Sequence, residues 1–196
     1  MPTASSAKLS SRFEEAMSFA FQLHVDHRRK GSDIPYMAHL LGVTALVLED
    51  GGDEDEAIAA LLHDAVEDCG GVETLEEIRV KFGEHVAYIV DHCTDTYVVP
   101  KPPWRARKEH YIVRLRDASP DIFRVSVADK LHNARSILWD LRQDGESIFE
   151  RFNGGKDGTL WYYHTLLELF QSAFSSPMIQ ELDCTLDEIE LLLHPG

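Results

Sequence analysis

The stretch Ala57 to Leu62 sets the tightest limit on how this chain folds. It is a run of apolar residues followed at once by His63-Asp64 and then by Glu67-Asp68. Read as one helix from Asp53 through Asp68, capped by Asp53 with Glu56, the run covers every side of the rod. A rod that is apolar all round must lie at the centre of a larger body, enclosed by other elements. Its far end carries a polar patch, because His63 and Glu67 are spaced i, i+4, as are Asp64 and Asp68. Three carboxylates at a buried end are costly to desolvate and repel one another, and a divalent cation offsets both costs. The alternative is a solvated C-terminal turn, which the helix dipole disfavours for acidic residues.

Helical periodicity runs through the rest of the chain, with no convincing strict alternation between hairpin turns. Ser11 with Glu14 reads as a capping box for a first helix that buries Phe13, Met17, Ala20 and Phe21 and ends near Arg28-Arg29-Lys30. A loop from Gly31 to Pro35 precedes a helix through His39, Val43 and Val47. Thr74 with Glu77 is expected to cap a helix reaching Phe82, Gly83 to break it, and another to cover Glu84 to about Thr94. Pro100, Pro102 and Pro103 make Tyr97 to Trp104 a loop, and Pro120 sits where a proline starts a helix. Asn153, Gly154, Gly155 and Gly158 read as a loop before a helix holding Trp161, Tyr162 and Tyr163, and Thr185 to Leu193 closes the chain. The expectation is an all-α, single-domain fold over residues 11–196, preceded by a flexible N-terminal segment, 1–10.

Composition narrows the function. Nineteen Lys and Arg against 34 Asp and Glu leave a net charge of −15 in 196 residues, which argues against nonspecific binding of nucleic acid or an anionic membrane. No apolar run approaches the ~20 residues that a bilayer requires, and the N-terminal residues lack the apolar region of a secretion signal, so a cytoplasmic location is expected. Three cysteines without a close-set pair give no expectation of a disulfide framework or a thiolate zinc site. The acidic run Glu49 to Glu56 reads as a solvated turn and helix start.

Three motifs appear in order: H-R-R-K at His27 to Lys30 leading into P-Y-x-x-H at Pro35 to His39, H-D-x-V-E-D at His63 to Asp68, and A-D-K-L-x-N at Ala128 to Asn133. The pattern H…HD…D from His39 through His63-Asp64 to Asp129 resembles that of the HD-domain metal-dependent phosphohydrolases. The longer motifs look like the hydrolase domain of the RelA/SpoT group and its stand-alone relatives, over about Phe13 to Leu169. That resemblance implies an HD-domain helical bundle in which His39, His63, Asp64 and Asp129 are metal ligands. Two imidazoles and two carboxylates suit manganese, with iron, cobalt or magnesium as other divalent candidates. Glu67 and Asp68 would position and deprotonate the attacking water.

The resemblance also implies a nucleotide substrate and, most specifically, removal of the 3′-pyrophosphate of guanosine alarmones, (p)ppGpp. A phosphatase for another nucleotide, such as a nucleoside monophosphate or a dinucleotide cofactor, and a non-catalytic nucleotide-binding module are the alternatives. Basic residues gather in two places, around Arg28 to Lys30 and from Lys101 to Arg116, where they could neutralise a polyphosphate. Arg29, Lys30, Arg105 and Lys108 are the candidates there, Arg105 and Lys108 because they share a face at i, i+3. Asn133 lies at i+4 from Asp129, with Lys130 beside it and Tyr162 in the late helix as a further substrate contact. His132 is assigned to packing or surface, and the oligomeric state is left open.

Overall fold

The computed structural model describes residues 7–98 and 100–194. The expected N-terminal segment therefore falls mostly outside the described residues. Ten α-helices follow in order among the described residues: α1 (Ser11–His24), α2 (Met37–Glu49), α3 (Glu54–Leu62), α4 (Ala65–Cys69), α5 (Val72–Phe82), α6 (Glu84–Cys93), α7 (Trp104–Leu115), α8 (Pro120–Asp144), α9 (Gly155–Ala173) and α10 (Pro177–Leu193). A 3-10 segment, Gly145–Arg151, links α8 to α9. The all-α expectation holds, the sole β feature among the described residues being an isolated bridge between Arg28 and Pro35.

Helix α3 is the axis that the apolar run requires. Every residue from Ala57 to Leu62 is fully buried, and α1, α2, α6 and α8 surround it. Burying Ile58, Leu61 and Leu62 contributes roughly 1.5–3 kcal/mol each. The Asp53–Glu56 capping box forms in both directions and starts α3. Glu56 is buried rather than solvated, because it and Asp50 pair with Arg124 of α8. The acidic run is thus partly a clamp that ties α2 and α3 to α8.

Other local expectations are corrected. The single helix from Asp53 to Asp68 is interrupted at His63-Asp64, where Asp64 takes φ −97° and ψ −5° before α4 begins. Glu67 and Asp68 accordingly sit in the first turn of a short new helix, the end at which a helix dipole favours anions. Ser10, not Ser11, caps α1, accepting from the Arg12 amide. The buried face of α1 is Ala16, Phe19, Ala20 and His24, while Met17 and Phe21 are exposed. Thr74 lies inside α5 and donates its hydroxyl to the Cys69 carbonyl, while Gly71 at φ 65° starts that helix. Gly155 and Gly158 belong to α9, and the Trp104 ring lies against Gly154 and Gly158, so closely that a Cβ on Gly154 would meet ring atoms at 2.7 Å. Helix α10 begins at Pro177 behind a Ser176 cap, well before Thr185.

At the end of α1, burial pushes the His24 imidazole down to about 4. A folded-state pKa below the ordinary 6.5 means that the unfolded chain takes up the proton first. The neutral ring's contribution is full above about pH 6.5 and is lost as pH falls towards 4. Chemical unfolding of the wild type and of His24→Gln, both with chelator present, should show the wild type losing up to about 3 kcal/mol relative to the variant between about pH 7 and pH 4. A pH-independent difference would refute this.

Candidate metal centre

Three elements bring four donor side chains together. His39 comes from the first turns of α2, His63 and Asp64 from the break after α3, and Asp129 from the middle of α8. His63 Nε2 lies 3.0 Å from Asp64 Oδ2 and 3.6 Å from Asp129 Oδ1. His39 Nε2 lies 3.2 Å from Asp129 Oδ1 and 3.5 Å from Asp64 Oδ2. Both Nε2 atoms are buried and lack a well-formed hydrogen bond, an arrangement that folded proteins rarely leave uncompensated. His63 Nδ1 donates to the Ala60 carbonyl at 2.8 Å, which keeps a proton on Nδ1 and turns Nε2 towards the two carboxylates.

The surroundings hold both carboxylates in ligating form. Burial opposes ionisation of Asp64 and Asp129, yet His63 and His39 beside the first, and Lys130 with both imidazoles beside the second, keep their pKa values well below the ordinary carboxylate value. Burial opposes a charge on His63, but Asp64 and Asp129 outweigh it and raise its pKa, so a bound cation would take the place of the proton on Nε2. The Tyr36 hydroxyl donates to Asp64 Oδ2 at 2.6 Å, and Asn133 Nδ2 donates to Asp129 Oδ1 at 2.6 Å. Two aimed imidazole nitrogens facing two ionised carboxylates fit a divalent cation.

Beside this cluster lies a cavity of about 520 Å³ whose lining includes His39, Arg29, Lys30, Lys108, Lys130, Asn133 and Tyr162. Six of the seven expected substrate contacts therefore share one space. Arg29 donates to Asn133 Oδ1 at 2.6 Å, and Lys108 to Asp95 Oδ2 at 3.1 Å. The Tyr162 hydroxyl is buried without a partner among the described residues. Arg105 is the exception: it stacks on Trp161, 3.2 Å from the ring centroid, pairs with Glu109 and does not line the cavity. The i, i+3 spacing does not carry Arg105 inward because α7 turns only its Trp104 and Lys108 side chains to the cavity. Glu67 and Asp68 are outside the cavity lining. Glu67 accepts from Lys101 Nζ at 2.7 Å and from the Asp95 amide at 3.3 Å. Desolvation together with the charges of Asp64 and Glu67 pushes the Asp68 carboxyl up to about 6.

Residues 16–160 match the family model described as the HD domain. The chain belongs to the HD-domain family. A guanosine-3′,5′-bis(diphosphate) 3′-pyrophosphohydrolase, MESH1 of Xenopus tropicalis, is 40% identical over 126 residues, covering 63% of this chain and 68% of the relative. An Aquifex aeolicus guanosine-3′,5′-bis(diphosphate) 3′-pyrophosphohydrolase is 31% identical over 135 residues, which are 69% of this chain and 19% of that longer one. A solved structure, described as a metazoan ortholog of SpoT that hydrolyzes ppGpp, superposes with a TM-score of 0.75 over 94% of this chain and 99% of its own, at 24% identity. At that identity the superposition speaks to the fold.

In this HD-domain protein three residues around the centre escape the sequence reading. Tyr36 lies within the P-Y-x-x-H motif, but its contact with Asp64 depends on the turn in which Arg29 N bonds to Ile34 O and Tyr36 N to His27 O. Trp104 forms part of the cavity wall. His132 sets its Nδ1 2.9 Å from His39 Nδ1. Burial, His39 and Arg29 push the His132 imidazole down to about 4, so near neutral pH it is uncharged and its Nδ1 can accept a hydrogen bond from His39 Nδ1–H, leaving His39 Nε2 to the centre. Its i+3 spacing from Asp129 is the signal that could have revealed it. Loss of such a supporting contact typically weakens metal affinity 10–100-fold. Manganese titration followed by electron paramagnetic resonance should show a loss of about 10–100-fold in affinity in His132→Ala and no stoichiometric manganese binding in His63→Ala. Stoichiometric manganese retained in His63→Ala would remove His63 from the ligand set.

Proposed function

We propose that this chain is a divalent-metal-dependent phosphohydrolase that removes the 3′-pyrophosphate of guanosine alarmones, (p)ppGpp. The observation that carries this reading is a cationic cavity, lined by Arg29, Lys30, Lys108 and Lys130, that opens directly beside the His/Asp cluster. The relatives named as 3′-pyrophosphohydrolases support the same leaving group. In this reading His39, His63, Asp64 and Asp129 hold the ion, manganese first, which polarises a phosphoryl oxygen and lowers the pKa of water.

The chain's own residues do the rest. The four cations neutralise a pyrophosphate that would otherwise enter an acidic protein unfavourably. The unpartnered Tyr162 hydroxyl donates to a substrate oxygen, and Asn133, fixed between Arg29 and Asp129, keeps two substrate-facing groups in register. Asp68, with its carboxyl near 6, takes the water proton close to neutral pH, and Glu67, anchored by Lys101, positions that water. One water is consumed: its oxygen bonds to the 3′ phosphorus, the ester P–O bond breaks, and the nucleotide leaves as the 3′ alcohol with free pyrophosphate.

Residues 11–196 form one hydrolase domain in this reading, acting on a free nucleotide and not on nucleic acid. No described helix is long and apolar enough to cross a membrane, and a nucleotide substrate accords with a cytoplasmic location.

Purified protein with manganese should release pyrophosphate from guanosine tetraphosphate. Orthophosphate released only from other nucleotides in the same panel would overturn the alarmone assignment. Glu67→Gln combined with Asp68→Asn should keep its metal and lose roughly 10²–10⁴-fold in turnover. Unchanged turnover would remove both residues from the reaction.

A further inference from the structure

A second group of metal-binding side chains lies outside the HD centre. His24 is in the last turn of α1, His27 follows in the loop, and Cys69 closes α4. One donor atom from each lies within 4.8 Å of the other two. His24 Nδ1 and His27 Nδ1 face each other at 3.0 Å, and Cys69 Sγ is 3.8 Å from both ring nitrogens of His24. His24 is buried, whereas His27 and Cys69 are only half-buried, so solvent reaches one side of the group.

The group is held as a site would be. The His24 ring stacks on Tyr36, with centroids 5.1 Å apart and planes at 18°. The backbone bond from Tyr36 N to His27 O, 3.0 Å long, fixes the loop that carries His27. Cys69 donates its thiol proton to the Leu23 carbonyl at 3.5 Å, which brings α4 against the end of α1. His24 is neutral near pH 7, which is the ligating form. Two neutral imidazoles joined through their Nδ1 atoms can share one proton, and a cation can take that proton's place.

We propose that His24, His27 and Cys69 form a second transition-metal site that takes zinc or another thiophilic divalent ion. The sulfur donor separates it from the HD centre, whose nitrogen and oxygen donors also accept manganese or magnesium. Three protein donors leave the fourth tetrahedral position to water, as in open zinc sites. The proton balance is simple. The Cys69 thiol loses its proton to solvent as sulfur bonds to the ion, and the imidazole that was donating in the His24–His27 bond carries its proton on Nε2 instead. Tyr36, stacked on His24 and bonded to Asp64, lies between the two centres.

The test is a cobalt(II) chloride titration of the full chain after chelation. The wild type should take up two equivalents, one of them giving an intense thiolate-to-cobalt charge-transfer band that the HD centre cannot produce. Cys69→Ser and His27→Gln should each lose that band and one equivalent, while Cys93→Ser and Cys184→Ser keep both. His63→Ala should keep the band and lose the other equivalent, so failure of the HD-centre assignment and failure of this one are read separately. Absence of the band in the wild type, which needs no variant to fold, or its survival in Cys69→Ser, would overturn the proposal.

Discussion

Two buried imidazole nitrogens aimed at two ionised carboxylates are the arrangement on which the rest of this fold depends. His39 and His63 each spend Nδ1 on a protein partner and leave Nε2 without one. Buried polar atoms in that state cost on the order of 1–3 kcal/mol each, and Asp64 and Asp129 add the expense of desolvated charge. The surrounding helices meet that cost: α3 is sheathed on every side by α1, α2, α6 and α8, so the break that presents His63 and Asp64 cannot drift. A metal bound there inherits a geometry already fixed by packing.

The break at His63-Asp64 solves an electrostatic problem as well as a geometric one. A single helix running to Asp68 would place four polar side chains, three of them acidic, in the last two turns at the negative end of its dipole. Ending α3 at Leu62 and restarting at Ala65 moves Glu67 and Asp68 to the start of a new helix, where backbone N–H groups face anions favourably. It also frees Glu67 to meet Lys101 and the Asp95 amide, which join the proline-rich segment to the site. The Asp68 carboxyl, near 6, still feels Asp64 and Glu67, the two charges that the new helix start does not cancel.

What the sequence shows and what it hides follow from the range of the forces involved. The apolar run of α3 and the motif residues His39, His63, Asp64 and Asp129 are legible because burial periodicity and donor chemistry are written in residue type. Helix starts are less so. Ser10 and Ser11 offer the same cap chemistry, and Thr74 is drawn inside α5 because the two glycines at 70 and 71 allow an earlier start. Arg105 and Lys108 share a helical face by spacing, yet Trp161 captures the guanidinium and Asp95 captures the ammonium, and neither partner is near in sequence. His132 reads as an incidental neighbour of Asn133 until α2 is packed against α8. The meeting of His24, His27 and Cys69 depends on the same kind of tertiary contact, between α1 and α4.

The net charge of −15 takes on a different meaning once those partners are known. Two acids stand behind cations of the cavity and hold them: Asp129 pairs with Lys130, and Asp95 with Lys108, while Asp95 also pairs with Arg107 outside the cavity lining. Asp95 is itself buried, with one carboxylate oxygen unpaired. Long basic side chains in water lose conformational freedom when they close on an anion, but these are already fixed before any anion arrives. Lys108 shows what the arrangement costs, since burial and the nearby Lys130 pull its pKa below the ordinary lysine value. An entering anion relieves that repulsion between Lys108 and Lys130. The acidic residues therefore favour binding of a negative ligand, by holding apart and in place the cations that would otherwise disperse into solvent.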